Sequence, residues 1–256
     1  MSVLKLVLVQ TVLQWENAAA NRDHIEEMIK DTQKGSLVLL PEMFPSGFTM
    51  NPEAVAETVD GTTVSWMKRM ASEYDSAICG SVVITENGKY YNRLFFVYPS
   101  GETKHYDKKH LFSLAGEHKV YTPGTQKLIV EYKGWKICPL VCYDLRFPVF
   151  SRNTEDYDLL IYVANWPRPR ISAWDILLKA RAVENMCYVA AVNRIGSDNN
   201  SHQYTGHSQV VDHLGNYVAA PDEKQGVRLV EINKQEMLEV RQKLGFLNDR
   251  DAFTVK

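Results

Sequence analysis

The sequence predicts an α/β fold in which two sheets pack together with helices outside. Three observations carry this. Strand-like and helix-like stretches alternate along the chain, and the first strand-like stretch is nearly continuous apolar, as a strand covered on both faces requires. No linker, low-complexity segment or change of composition divides the 256 residues, of which 45% are hydrophobic and 23% charged, enough for one large core. We therefore expect one domain over residues 1–256, with a tail from about 245 to 256.

In chain order, Val3 to Val9 is the first buried strand. Glu16 to Asp31 carries Ile25, Met28 and Ile29 at helical spacing, and Gly35 stops that helix. Leu37 to Leu40 is a short strand running directly into Pro41-Glu42. Val64, Met67, Ala71 and Tyr74 mark a second helix, followed by a strand from Ala77 to Thr85, a turn at Asn87-Gly88 and a strand through Phe95, Phe96 and Val97. Ser100-Gly101 turns the chain again, and Lys108 to Gly124 is rich in loop residues. Strands at Leu128 to Tyr132 and Trp135 to Val141 flank the Lys133-Gly134 turn. The second half repeats the rhythm, with a strand at Leu159 to Ala164, a helix at Ile171 to Met186, a strand at Tyr188 to Val192, and strands near Val210 and Leu229. Asn233 can cap a last helix, with Glu236 as its capping-box partner and Met237, Leu238 and Leu244 as apolar positions.

Composition excludes several function classes. The net charge is −2 and the basic residues are dispersed, which argues against a nucleic-acid partner. The opening MSVLKLVLVQ is short, is interrupted by Lys5 and lacks a small-residue cleavage site, so it reads as a strand and not as a targeting segment. No stretch approaches the roughly 20 apolar residues of a membrane-spanning helix. Cys79, Cys138, Cys142 and Cys187 are too sparse for a secreted disulfide framework, which points to reduced thiols in a cytoplasm.

Catalytic groups in such folds gather just beyond the carboxyl ends of strands, where loops converge on one crevice. Three strand-like runs here end close to a reactive residue: Glu42 after Leu40, Lys108 after Tyr106, and Cys142 after Val141. Taken singly, Glu42 reads as a solvated loop carboxylate, Lys108 as half of a surface Lys-Lys pair, and Cys142 as a small core hydrophobe.

Together with their neighbours they resemble the nitrilase, or carbon-nitrogen hydrolase, superfamily. The resemblance rests on LLPEMFPSGF around Glu42, YDKKHLF around Lys108 and LVCYDLRFP around Cys142, and it runs from the first strand to DRDAFTV at the end of the chain. It implies a four-layer αββα sandwich, a Glu-Lys-Cys triad of Glu42, Lys108 and Cys142, and a second glutamate, Glu117 in AGEH, that orients the lysine. It also implies an oxyanion site formed by Lys108 and the backbone N–H of Tyr143, a homodimer packed through outer helices, and no metal or organic cofactor. Val149 stands where many members of the superfamily carry glutamate, which leaves the partner of Arg146 open.

The chemistry suits these residue types. A thiol of pKa about 8.5 needs a base to become a nucleophile. The charge that develops on an amide oxygen needs fixed donors, each worth roughly 3–4 kcal/mol. ANWPRPR, ARAVEN and NRIGSD resemble the bacterial ω-amidase branch, which implies hydrolysis of the terminal amide of 2-oxoglutaramate or 2-oxosuccinamate through a cysteine thioester. The substrate carboxylate would need an arginine, and Arg146, Arg168 and Arg170 are available. Arg146 could instead pair with a carboxylate to fix the nucleophile's turn. Phe44 and Trp166 are either pocket walls or core aromatics. Other readings are a different small carboxylated amide or carbamoyl substrate, a silent binding module of the same fold, or a Cys-His hydrolase using His110 or His118.

Overall fold

The computed structural model describes residues 2–254; Met1 and residues 255–256, the last two of the expected tail, lie outside the described residues. The first half of the chain forms β1 (Val3–Gln10), α1 (Ala18–Ile29), β2 (Leu37–Leu39), α2 (Pro52–Val55), α3 (Thr62–Glu73), β3 (Ala77–Glu86), β4 (Lys89–Val97), β5 (Thr103–Asp107) and α4 (Glu117–Val120). The second half forms β6 (Val130–Tyr132), β7 (Trp135–Val141), α5 (Pro148–Ser151), β8 (Leu159–Ala164), α6 (Ile171–Asn185), β9 (Tyr188–Asn193), β10 (Ile195–Ser197), β11 (Gln203–Thr205), β12 (Gln209–Val211), β13 (Tyr217–Ala219), β14 (Gly226–Asn233) and α7 (Lys234–Leu244).

Two six-stranded sheets result, in the orders β14-β1-β2-β3-β4-β5 and β13-β12-β9-β8-β7-β6. Each has three parallel strands at its centre, β1-β2-β3 and β7-β8-β9, with antiparallel strands outside them. The period of two along a strand explains the layering. In β1, Leu4, Leu6 and Leu8 face the second sheet, while Val7 and Val9 face the other way onto α1 and α3; Leu37 and Leu39 against Val38 divide β2 in the same manner. On the far side, Trp174, Leu178 and Ala182 of α6 cover the second sheet. The order is therefore helix, sheet, sheet, helix, the expected four-layer sandwich.

Element boundaries shift where a cap or turn intervenes. α1 starts at Ala18 because the Asn17 side chain caps it, which leaves Glu16 outside the helix with φ +50°. The β10-β11 hairpin, β13 and the short α4 are absent from the sequence reading, since three- or four-residue elements leave no readable period. The last helix is as expected: the Asn233 side chain accepts from Gln235 N–H, and Gly245 ends it in the left-handed region. Beyond it, Arg250 donates to the Asn153 carbonyl and pairs with Asp156 at 2.8 Å, tying the tail back to the loop between α5 and β8. Among the described residues no helix is long and apolar enough to cross a membrane.

Candidate active site

The parallel strands of the two sheets end at one crevice. Glu42 follows β2, Cys142 follows β7, Asn165 and Trp166 follow β8, and Lys108 follows the edge strand β5. A cavity of about 560 Å³ opens there, lined by Lys108, Cys142, Tyr143, Arg146, Asn165, Trp166 and Arg170, with Glu16, Phe48, Phe112, Asp198 and Tyr204 among its other walls.

Glu42, Lys108 and Glu117 form a fully buried cluster. Lys108 Nζ lies 2.9 Å from Glu42 Oε1 and 3.0 and 2.8 Å from the two oxygens of Glu117. Asn92, deep in β4, donates to Glu42 Oε1 at 2.8 Å and reaches Glu117 Oε1 at 3.3 Å. The backbone N–H of Asn165 donates to Glu42 Oε2 at 2.9 Å, linking the two sheets through one carboxylate. Burial works against the Lys108 ammonium, but the Glu117 and Glu42 carboxylates outweigh it and hold its pKa above the ordinary lysine value. Burial also raises Glu117, against the pull of Lys108. Two carboxylates around one ammonium leave the cluster net negative. Removing the lysine would strand both, a defect of about 3–5 kcal/mol for a broken buried pair.

Cys142 opens a short 3-10 turn, Cys142–Arg146, and has φ +43°, a left-handed conformation that costs a non-glycine residue of order 1–3 kcal/mol. Its thiol reaches the cavity. Burial, and then the nearby Glu42 carboxylate, push its pKa well above the usual thiol range despite Lys108. This direction favours the neutral thiol. Cys79, Cys138 and Cys187 are free and fully buried, small core residues whose thiols burial also pushes up.

The structure separates the two adjacent lysines: Lys108 points into the cluster, while Lys109 lines a shallow cleft on the other side with His110 and His118. His110 is bonded to Asp144 at 2.8 Å and stacked on Phe147 at 3.8 Å. Both the histidine and its buried carboxylate are taken up in holding the turn, and His118 is exposed, which removes the Cys-His alternative.

Of the proposed substrate contacts, three lie on the cavity. The Arg146 guanidinium sits 4.9 Å from the centre of the Trp166 ring, and Arg170 sits 5.2 Å from that of Phe112. No carboxylate of the described residues lies within ion-pair distance of either arginine, so Arg146 is not anchored by an acidic partner; Val149 in the expected partner's place is exposed. Two expectations are corrected. Phe44 is fully buried on the helix side of the first sheet, tilted against Trp66 at 5.8 Å, and packs so closely on Gly80 that a Cβ there would lie 3.1 Å from its ring. It is a core aromatic and does not line the cavity. Arg168 is exposed at the start of the turn preceding α6 and does not line the cavity either.

Sequence reasoning missed Asn92, Asn165, Glu16 and Asp198. Glu16 and Asp198 are carboxylates that line the cavity. Each is engaged: Glu16 accepts from the Thr49 hydroxyl at 2.6 Å, and Asp198 from the Tyr204 hydroxyl at 2.8 Å and from two backbone N–H groups.

Comparison with known proteins agrees with this geometry. The chain is 44% identical over 252 residues to the omega-amidase YafV of Escherichia coli K12, covering 98% of each chain. It is 34% identical over 225 residues to the 2-oxoglutaramate amidase of Bacillus subtilis, covering 86% of each. Its fold superimposes, with a TM-score of 0.97 and 43% identity over the whole of both chains, on XC1258 from Xanthomonas campestris, a CN-hydrolase superfamily protein whose crystal structure carries an arsenic adduct in the active site. The carbon-nitrogen hydrolase family model matches residues 5–242, and the chain belongs to that family.

Proposed function

We propose that the protein is a thiol amidase that hydrolyses the terminal amide of 2-oxoglutaramate and 2-oxosuccinamate, releasing ammonia and the keto acid. The observation that carries this reading is the pair of guanidiniums, Arg146 and Arg170, lining the cavity of Cys142 and Lys108 with no acidic partner among the described residues. The two amidases compared above, which match nearly the full length, support it.

In this mechanism Cys142 Sγ attacks the amide carbon as its proton passes to Glu42. Lys108 and the Tyr143 N–H stabilise the oxyanion. One lysine N–H shared between the two Glu117 oxygens leaves another free to turn to that oxyanion. Glu42 then protonates the departing nitrogen, which leaves as ammonia, and a thioester remains. Water attacks the thioester with one proton going to Glu42, and Glu42 passes that proton to the departing Cys142 sulfur. The acid product gives its remaining proton to solvent, so that the neutral thiol and the free Glu42 carboxylate are restored. Lys108 and Glu117 each shift the other, so a pH profile would report the pair and not one residue.

The test is ammonia release from a panel of amides. Keto acid monoamides should be preferred over glutamine and asparagine, because an α-ammonium beside the arginines is repelled while Glu16 and Asp198 already accept internal donors. Arg146→Ala or Arg170→Ala should raise KM for the keto acid by about tenfold or more, with a neutral amide of similar size little affected. If both variants treat charged and neutral amides alike, or if glutamine is the better substrate, the assignment retreats to an unspecified thiol amidase.

We also propose a cytoplasmic homodimer. Four free cysteines suit a reducing compartment. The outer face of α6 exposes Ile176 (66%) and Val183 (49%) beside Leu214 (53%), an apolar surface that a second copy would cover. The Arg250 anchor favours a tail folded on its own subunit. Light scattering at micromolar concentration should give twice the monomer mass; a monomer would remove the dimer reading.

A further inference from the structure

The turn that carries Cys142 is held by a carboxylate to which the mechanism assigns no task. We propose that Asp144 is a positioning residue: one buried carboxylate sets the reach between the Cys142 thiol and the Lys108 ammonium. This rests on the thiol-amidase reading above.

Asp144 is fully buried, two residues after Cys142. Its Oδ2 accepts from the Val141 N–H at 3.0 Å and from the Tyr106 hydroxyl at 2.8 Å. Its Oδ1 accepts from the His110 N–H at 3.0 Å and lies 2.8 Å from His110 Nδ1. Val141 immediately precedes Cys142, while Tyr106 and His110 flank Lys108 at two residues on either side. Tyr106 in turn accepts from the Lys109 N–H at 3.0 Å. Burial, and then the Asp144 charge, keep the Tyr106 hydroxyl protonated and donating.

The consequence is geometric. Cys142 stands on the second sheet and Lys108 at the edge of the first, and no strand pairing joins β5 to β7. Asp144 joins them directly, at the two positions where the nucleophile and the ammonium leave their strands. It also stabilises the left-handed Cys142, because the Val141 N–H bond closes the turn beneath that residue. On the other side, Arg181 of α6 donates to the Leu145 carbonyl at 2.6 Å, which steadies the turn without reaching Lys108. The interactions needed at the transition state tolerate little displacement, so a loosened clamp should appear in the chemical step before it appears in binding.

Asp144→Asn tests this at almost constant volume. Whichever way the amide is placed, its NH₂ faces the backbone N–H of either Val141 or His110, so the clamp cannot be fully satisfied. For hydrolysis of 2-oxoglutaramate, kcat should fall by at least about tenfold with KM changed less than about threefold. The rate at which iodoacetamide alkylates Cys142, followed by mass spectrometry of the intact protein, should fall by at least about tenfold as well. Asp158→Asn is the comparison. It removes another buried carboxylate, paired with Lys234 at 2.6 Å and Arg241 at 3.3 Å, and should lower Tm while leaving both rates unchanged. A smaller loss than tenfold in either rate for Asp144→Asn, or equal losses for Asp158→Asn, would overturn the proposal. If Asp144→Asn does not fold, Tyr106→Phe removes one donor only. It should lower the alkylation rate and kcat together, and wild-type rates in it would overturn the proposal equally. If the wild type fails to hydrolyse 2-oxoglutaramate, the substrate reading falls, while the alkylation comparison still decides the role of Asp144.

Discussion

Cys142→Ala is expected to abolish ammonia release, a loss of about 10⁵-fold or more, while the protein keeps its fold and Tm within a few degrees. The thiol is a small group at the rim of a cavity, so its removal opens little new void and leaves the Glu42, Lys108 and Glu117 cluster intact. Cys138→Ala supplies the contrast. That residue lies within β7 in the core between the sheets, and its loss should lower stability by about 1 kcal/mol with turnover unchanged. Mass spectrometry of wild-type protein quenched during turnover should find any acyl group on Cys142 alone. Full activity in Cys142→Ala would falsify the mechanism.

The second large effect is expected at Lys108. Lys108→Met should reduce kcat by about 10²–10³-fold through loss of an oxyanion donor. It should also lower stability, because Glu42 and Glu117 lose the cation between them. Lys109→Met should change neither, since that side chain faces the shallow cleft away from Cys142. Equal losses at both positions would undo the assignment. Glu117→Gln should retain substrate binding and slow acylation, as the ammonium loses its bidentate partner.

What could be read from the sequence follows from the range of each physical signal. Glu42, Lys108 and Cys142 read singly as surface or core residues, and it is the motifs around them, through the family resemblance, that set them apart; the structure brings all three to one crevice. Arg146 and Arg170 reach the cavity from loops that follow strands of the same sheet, but Arg168, on the same loop as Arg170, does not, a difference that a strand end alone does not announce. Phe44 was not legible, because Met43 turns through φ +44° and the alternation of the strand no longer says which way the next side chain points. Asn92 lies 50 residues from Glu42 in sequence and meets it only because β4 pairs between β3 and β5, which no local pattern announces. Glu16 was read as the start of a helix, and the cap at Asn17 moved it to the cavity. Asp198 and Tyr204 come together through a hairpin of three-residue strands, too short to register as a period.

The raised pKa of the Cys142 thiol has a consequence for the lifetime of the protein. Oxidants and stray electrophiles in a cell attack thiolates far faster than thiols, and cysteines held as permanent thiolates are the ones lost to sulfinic and sulfonic acids. Here burial, and then the Glu42 carboxylate, push the thiol pKa upward, which favours the protonated sulfur. In the mechanism proposed above, its proton would leave as an amide carbonyl arrives, with Lys108 beside Glu42 to meet the resulting charge. The Cys142 sulfur is thereby set toward slower oxidation than a permanent thiolate, while its opening onto the cavity keeps it, unlike the buried cysteines of the core, within reach of an alkylating reagent.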